Sequence, residues 1–255
     1  MADIATEAPS RLKWQEARIE ALEMLTPRIR RVVMRPKHWY RPLAGQHVDV
    51  RLTAEDGYQA QRSYSLLSPP WREDVYELAI ERMPDGEVSP WFHDAALAGD
   101  TIEILGPVGG HFVWHAADAA PTLLVGGGSG IVPLLAMAAH HTHSAVAAPM
   151  ALVVGARTLA DVVLWPELQR WEAMERGFES RLALSRESAV TRPQDHTGRI
   201  RESDLASALQ RLRGPAPQPV QAFVCGNNGF VETIVDMLRA LSVSDNAVRT
   251  ERFGG

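Results

Sequence analysis

The 255-residue chain holds one cysteine, Cys225. A single thiol excludes an internal disulfide framework and any cysteine-ligated zinc or iron–sulfur site built from this chain alone, and it fits a reducing compartment. Excess positive charge is also missing: 26 Lys and Arg stand against 31 Asp and Glu, a formal charge of -5. Nothing global therefore draws the chain to nucleic acid or to an anionic membrane. Long apolar runs are absent too, none approaching the roughly 20 residues that cross a bilayer. The opening MADIATEAPSRLKW lacks the apolar stretch of a signal peptide. The expectation is a cytoplasmic protein with no membrane insertion and no nucleic-acid partner.

What is present is a globular composition, 45% hydrophobic and 22% charged. From Trp14 to about Val113 the apolar residues alternate in short runs closed by Gly, Pro or Asp: RIRRVVMRP, GQHVDVRL, RSYSLL, VYELAIER and DTIEILGP. In HVDVRL, Val48, Val50 and Leu52 face one way and His47, Asp49 and Arg51 the other. Many short, punctuated strands predict a small antiparallel β-barrel or sandwich. After WHAADAAP the pattern changes. TLLVGGG, MALVVGAR, RLALSRE, QAFVCG and NAVRTERF read as strands; IVPLLAMAAHH, DVVLWPELQRWEAMERG, ESDLASALQRLR and GFVETIVDMLRAL read as helices between them. In the second of these helices Val162, Val163, Trp165, Leu168 and Trp171 fall at helical spacing. Alternating strands and helices predict a parallel sheet with helices on both faces. The fold class is thus β followed by α/β, with domains at 1–116 and 117–255.

Several stretches carry chemistry. RSYS (62–65) places an arginine and three polar side chains in a short strand, which by itself is an edge strand with a wet face. The glycines of LLVGGGSGIVP (123–133) lie between a buried strand and a helix, where a backbone approaches a pyrophosphate or merely packs tightly. Pro133 stands where the usual dinucleotide fingerprint has its third glycine. Cys225, in VCGNNGF, ends a strand, either as a small buried hydrophobe or against a flat ring at the sheet's ligand-binding edge. Arg186 and Arg199 sit at strand and loop ends and suit a phosphate as well as they suit solvent. HHTH (140–143) reads as histidines complementing a helix dipole rather than as a metal site. Arg28, Arg30, Arg31 and Arg35 give a wet strand face or a docking patch for an acidic partner.

In their order, RSYS, GEVS (86–89), GPVGGHF (106–112), GGGSGIVP, VCGNNGF and ERF (251–253) resemble the motifs of the ferredoxin–NADP reductase superfamily from about residue 14 to 253. The resemblance implies an antiparallel flavin-binding β-barrel followed by a parallel-sheet pyridine-nucleotide domain. It implies that Arg62 pairs with the flavin pyrophosphate, that Tyr64 packs along the ring or ribityl chain, and that Ser65 reaches the N5 edge. Ser63, Ile80, Gly86, Val88, Ser89 and Phe253 complete the flavin contacts. Gly127, Gly128, Ser129, Gly130 and Pro133 would hold the nucleotide pyrophosphate, with Cys225, Gly226 and Glu251 flanking the nicotinamide. Arg157, Ser185, Arg186 and Arg199 match places where NADP-preferring members hold the 2′-phosphate.

The implied cofactor is FAD, with FMN the alternative, and the implied co-substrate is NADPH, with NADH possible. Ser65, Cys225 and Glu251 are the catalytic candidates and no metal is implied. Two departures stand out: Phe112 lies one residue farther along than the family's junction aromatic, and CGNN lacks a common proline. The expected activity is hydride transfer from NADPH to FAD and release of single electrons to a separate ferredoxin or iron–sulfur protein. The rivals are reduction of a diffusible acceptor and a non-catalytic flavin-binding subunit.

Overall fold

A computed structural model describes residues 12–145, 148–174, 176–214 and 218–253. Chain contacts divide into a first unit ending at Val113 and a second beginning at Trp114.

The first unit is an antiparallel sheet of β1 (Gln15–Met24), β2 (Ile29–Pro36), β3 (His47–Thr53), β4 (Gln59–Ser65), β5 (Tyr76–Glu81) and β6 (Thr101–Val108), in the order β4-β3-β6-β1-β2-β5. A short helix, α1 (Val88–Asp94), follows β5. Val48 and Val50 point into a core with Ile19, Met34, Leu78, Ile80 and Ile104, as the alternation in HVDVRL requires. The ladder itself is open. Past the end of β4 a single bridge, Leu66–Leu78, reaches β5, so the sheet is established while closure into a barrel rests on that one bridge.

β1 has no counterpart among the sequence-derived strands. Its QEARIEALEM is rich in good helix formers, yet it pairs with β2 from Ala17 to Met24 and with β6 from Gln15 to Arg18. Cross-strand pairing on two sides outweighs local propensity here. The arginines at and just before β2 are engaged within the unit. Arg28 pairs with Glu81, Arg31 with Glu77 and Arg35 with Glu20, while Arg30 donates to the carbonyls of Phe92 and His93.

The second unit is a six-stranded parallel sheet. Its strands are β7 (Thr122–Gly127), β8 (Met150–Ala156), β9 (Phe178–Leu184), β10 (His196–Thr197), β11 (Gln221–Gly226) and β12 (Val248–Arg252), in the order β10-β9-β8-β7-β11-β12. The helices are α2 (Ile131–His143), α3 (Trp165–Ala173), α4 (Glu202–Arg213) and α5 (Asn228–Ala240). Leu123, Val125, Ala151, Val153, Ala222 and Val224 form one core face with α4 and α5, and no residue of α2 belongs to that cluster. The strand order reverses between β7 and β11, so the C-terminal ends of these two strands flank a switch point, where open α/β sheets bind ligands.

α3 starts later than its spacing predicts. Val162 and Val163 are buried ahead of it, Leu164 takes a left-handed φ of 54°, and the helix begins at Trp165 with Pro166 in its first turn. Among the histidines closing α2, His141 does not act as a dipole-facing cation. His141 is buried, its Nε2 is 2.7 Å from the Ala148 carbonyl, and burial pushes its pKa down, so it stays neutral. Among the described residues no helix is long and apolar enough to cross a membrane.

Candidate functional site

In the first unit the chemistry gathers on β4. Ala60, Arg62 and Tyr64 share one face of the strand and Gln61, Ser63 and Ser65 the other, so RSYS does not present four side chains to one surface. Ala60 is buried in the core, and Tyr64 packs against that core and edge-on to Phe92 at 6.1 Å. Burial pushes the Tyr64 phenol well above its ordinary pKa, which keeps it neutral. Arg62 is exposed; its Nη1 donates to the Gln61 carbonyl at 2.6 Å, and no described residue forms an ion pair with it. On the other face Ser63 Oγ donates to Asp49 at 2.5 Å, which ties it to β3. Ser65 Oγ is buried without a hydrogen-bond partner, a hydroxyl that a ligand atom would satisfy.

The turn before α1 lies beside this strand. Tyr58 donates to Glu87 at 2.9 Å, and the Ser89 hydroxyl accepts from the Met83 amide at 3.0 Å, which shapes the turn that opens at Gly86. Two expected flavin contacts do not present side chains. The Ile80 and Val88 side chains are fully buried in the core, which leaves only their backbone groups to meet a ligand, and the Ile80 carbonyl faces His93 Nε2 at 2.9 Å.

In the second unit the switch point collects the predicted loop residues. β7 and β11 run side by side with Cys225 opposite Gly126, and Cys225 is also opposite Glu251 of β12. Gly127 to Gly130 leave the end of β7 and turn into α2, with Pro133 buried in its first turn, where a missing N–H costs nothing. The loop is pressed onto β11. A Cβ on Gly130 would lie 2.6 Å from the Cys225 carbonyl carbon and 2.8 Å from Gly226 Cα. Phe230, absent from the sequence-derived residues, explains two other glycines: its ring occupies the space a Cβ would need at Gly127 and at Gly226. Asn227 caps α5 by accepting from the Phe230 amide at 2.9 Å, which fixes the CGNN geometry without a proline. Phe253 follows β12, its amide donating to the Gly226 carbonyl at 3.0 Å.

Burial, and then Glu251, push the Cys225 thiol well up, so it is a neutral filler and no nucleophile. Glu251 is itself perturbed. One carboxylate oxygen is buried without a partner, and burial pushes the group up to about 7. The folded chain therefore keeps a proton that the unfolded chain has released, so stability falls as pH rises from the ordinary glutamate range to about 7 and is flat above it. Glu251→Gln should remove this slope. Urea unfolding of both proteins between about pH 5 and 8 should show the variant gaining on the wild type by up to roughly 3 kcal/mol; parallel curves would show that Glu251 ionises freely.

A second group of residues lies past β8, β9 and β10. The Ser185 amide donates to the Ala156 carbonyl at 3.0 Å and the Arg186 amide to the Arg157 carbonyl at 2.8 Å, so Arg157, Ser185 and Arg186 lie together past the ends of β8 and β9. Arg199 follows β10, which pairs with the end of β9. Arg157, Arg186 and Arg199 are exposed and, among the described residues, have no ion-pair partner. Sequence reasoning missed Glu187, whose carboxylate accepts from the Leu159 amide at 3.0 Å in the loop after β8. An acidic residue two positions beyond Ser185 was the available signal.

The family model for the oxidoreductase FAD-binding domain matches residues 19–114, and that for the oxidoreductase NAD-binding domain matches residues 124–236. Ferredoxin–NADP reductase B of Sorangium cellulosum is 29% identical over 245 residues, covering 93% of this chain and 97% of that protein. The ferredoxin reductase component of a 3-ketosteroid-9-alpha-monooxygenase from Mycobacterium tuberculosis is 31% identical over 224 residues, covering 86% of this chain and 56% of that protein. A cytochrome P450 reductase from Amycolatopsis has a crystal structure that superposes with a TM-score of 0.80 at 25% identity, covering 95% of this chain and 70% of that one. The chain spans a little over half the length of the monooxygenase reductase components it matches.

Proposed function

We propose that this chain, which belongs to the ferredoxin reductase-like superfamily of FAD- and NAD(P)-binding oxidoreductases, takes hydride from NADPH onto FAD and passes single electrons to a separate protein carrier. The carrier is a ferredoxin or the iron–sulfur component of an oxygenase, a reading supported by relatives named as reductase components of such systems. The observation that carries the proposal is the switch point, where the Gly127–Gly130 loop presses onto Cys225 and Gly226 beside the unsatisfied Glu251 carboxyl.

FAD, when bound, supplies the conversion of a two-electron hydride into single electrons. The protein's part is to bind and orient. Arg62 offers guanidinium donors to a pyrophosphate. Ser65 offers its unsatisfied hydroxyl to a ring edge, and Tyr64 a flat apolar surface. In the nucleotide domain the amides that open α2 would receive a pyrophosphate. Cys225 and Glu251 would bound a nicotinamide, so that position rather than proton transfer is their contribution. The first domain we read as a barrel closed through the Leu66–Leu78 bridge.

Arg157, Arg186 and Arg199, with Ser185, favour NADPH, because a 2′-phosphate calls for unpaired guanidinium groups. Glu187 favours NADH as the second reading, since a carboxylate near the loop after β8 could accept from a ribose 2′-hydroxyl. Anaerobic titration of the flavin absorbance with each nucleotide decides between them. Fast bleaching by NADPH and slow bleaching by NADH supports the first reading, the reverse supports the second, and no bleaching by either overturns the reductase. Arg186→Ala should raise KM for NADPH about tenfold and leave KM for NADH within about twofold. Equal changes in both would remove Arg186 from the 2′-phosphate.

A further inference from the structure

The segment that leads from β9 to β10 is tied to the edge of the sheet by a largely buried ion cluster. After Leu184 the chain leaves β9 and returns at Asp195. There Arg192 grips the Asp195 carboxylate with both forks, Nε to Oδ2 at 2.7 Å and Nη2 to Oδ1 at 2.7 Å. The same guanidinium donates to Glu172 of α3 at 2.8 Å and to the Ser180 hydroxyl at 3.3 Å, and it lies 4.5 Å over the Trp165 ring. Glu172 in turn accepts from the amide and hydroxyl of Ser180, so helix, strand and loop meet at one cation.

Asp195 does a second job. It is buried, and its Oδ1 accepts from the Leu182 amide at 2.9 Å, a strand group facing the open edge of the sheet. The next residues pair in register, His196 with Ala183 and Thr197 with Leu184, and the Gly198 amide donates to the Leu184 carbonyl at 2.9 Å. Asp195 is thus the first rung of a strand only two residues long. So short a strand has almost no register of its own, and a slip of one residue would turn its side chains to the opposite face. Arg199 lies two residues beyond β10 and Arg186 two beyond β9. The register of β10 on β9 sets how far apart the backbone carries Arg186 and Arg199.

We propose that Arg192 and Asp195 are positioning residues for nucleotide choice: their clasp holds Arg199 beside Arg186 so that the pair can grip a 2′-phosphate. This rests on the NADPH reading above. A merely structural clasp would close the sheet edge and affect every nucleotide alike, whereas a positioning clasp acts only on ligands that carry the 2′-phosphate.

The test is binding of adenosine 2′,5′-bisphosphate and of adenosine 5′-monophosphate to the flavin-loaded protein by calorimetry. Steady-state KM values for NADPH and NADH are measured alongside. Arg192→Ala should weaken the bisphosphate about tenfold, from the loss of paired guanidinium contacts, with the monophosphate and KM for NADH held within about twofold. Asp195→Asn, which keeps the shape and an acceptor for Leu182, should shift the bisphosphate in the same direction by less, and it carries the test if Arg192→Ala fails to fold. Equal weakening of both ligands, or of neither, in the folded variant overturns the clasp. Arg186→Ala separates the two levels. If it discriminates between the ligands while the clasp variants do not, only the clasp falls; if it does not discriminate either, the 2′-phosphate reading fails and the clasp falls with it.

Discussion

Arg62→Ala should purify largely without flavin, with the affinity for added FAD reduced about 10- to 100-fold, the loss expected when charge-assisted bonds to a phosphate worth roughly 1.5–3 kcal/mol are removed. The reasoning begins with position. Arg62 lies between the buried Ala60 and the half-buried Tyr64 on the core-facing side of β4, opposite Val50 of β3, yet its own side chain is exposed. Among the described residues its only hydrogen bond is to the carbonyl of the preceding residue, and none forms an ion pair with it. A guanidinium on that side of a strand with no carboxylate partner does little for the fold, so the unliganded variant should melt within roughly 0.5 kcal/mol of the wild type. Stability and flavin affinity therefore separate. Fluorescence titration with FAD and a thermal melt of the stripped protein measure the two. Unchanged affinity would detach RSYS from the cofactor; a large loss of stability would make Arg62 a structural residue after all.

The two halves of the chain were unequally legible. In the second, TLLVGG, MALVVGA and QAFVCG are continuous apolar runs because their strands are buried on both faces, and amphipathic helices separate them, so order and type could be read directly. The first half holds β1, whose Glu, Ala and Leu content points away from a strand until two neighbours pair with it. β10 is only two residues long, so no periodicity could announce it. The candidate site shows the same division. Glycines, arginines and the lone cysteine announce themselves by type and order. Phe230 across Gly127 and Gly226, Glu187 at the Leu159 amide and the unpartnered oxygens of Ser65 and Glu251 depend on contacts between distant segments, which spacing does not encode. The face division within RSYS is an exception: strand alternation alone separates Arg62 and Tyr64 from Ser63 and Ser65.

Gly130→Ala should slow reduction of the flavin by the nucleotide at least 100-fold while sparing flavin binding. The added Cβ meets backbone, the Cys225 carbonyl group and Gly226 Cα, and no rotamer change relieves contact with backbone atoms. The Gly127–Gly130 loop must lift from β11, costing roughly 1–3 kcal/mol by the usual measure of overpacking. Lifting it displaces the amides that open α2 relative to Cys225 and Glu251. Positioning is what these residues contribute, and misplacement by about 1 Å costs on the order of 100-fold in rate; kcat/KM with either nucleotide should fall by at least that much. Flavin content should be unchanged, because Arg62, Tyr64 and Ser65 belong to the other unit. Gly229→Ala is the matched control. It lies in the first turn of α5, where a Cβ meets nothing nearer than the Asn227 side chain at 3.9 Å, so it should keep wild-type rates. Stopped-flow reduction of the bound flavin, set beside its absorbance per protein, reads both effects. If Gly130→Ala reduces its flavin at the wild-type rate, the loop is a packing device and the nucleotide binds elsewhere.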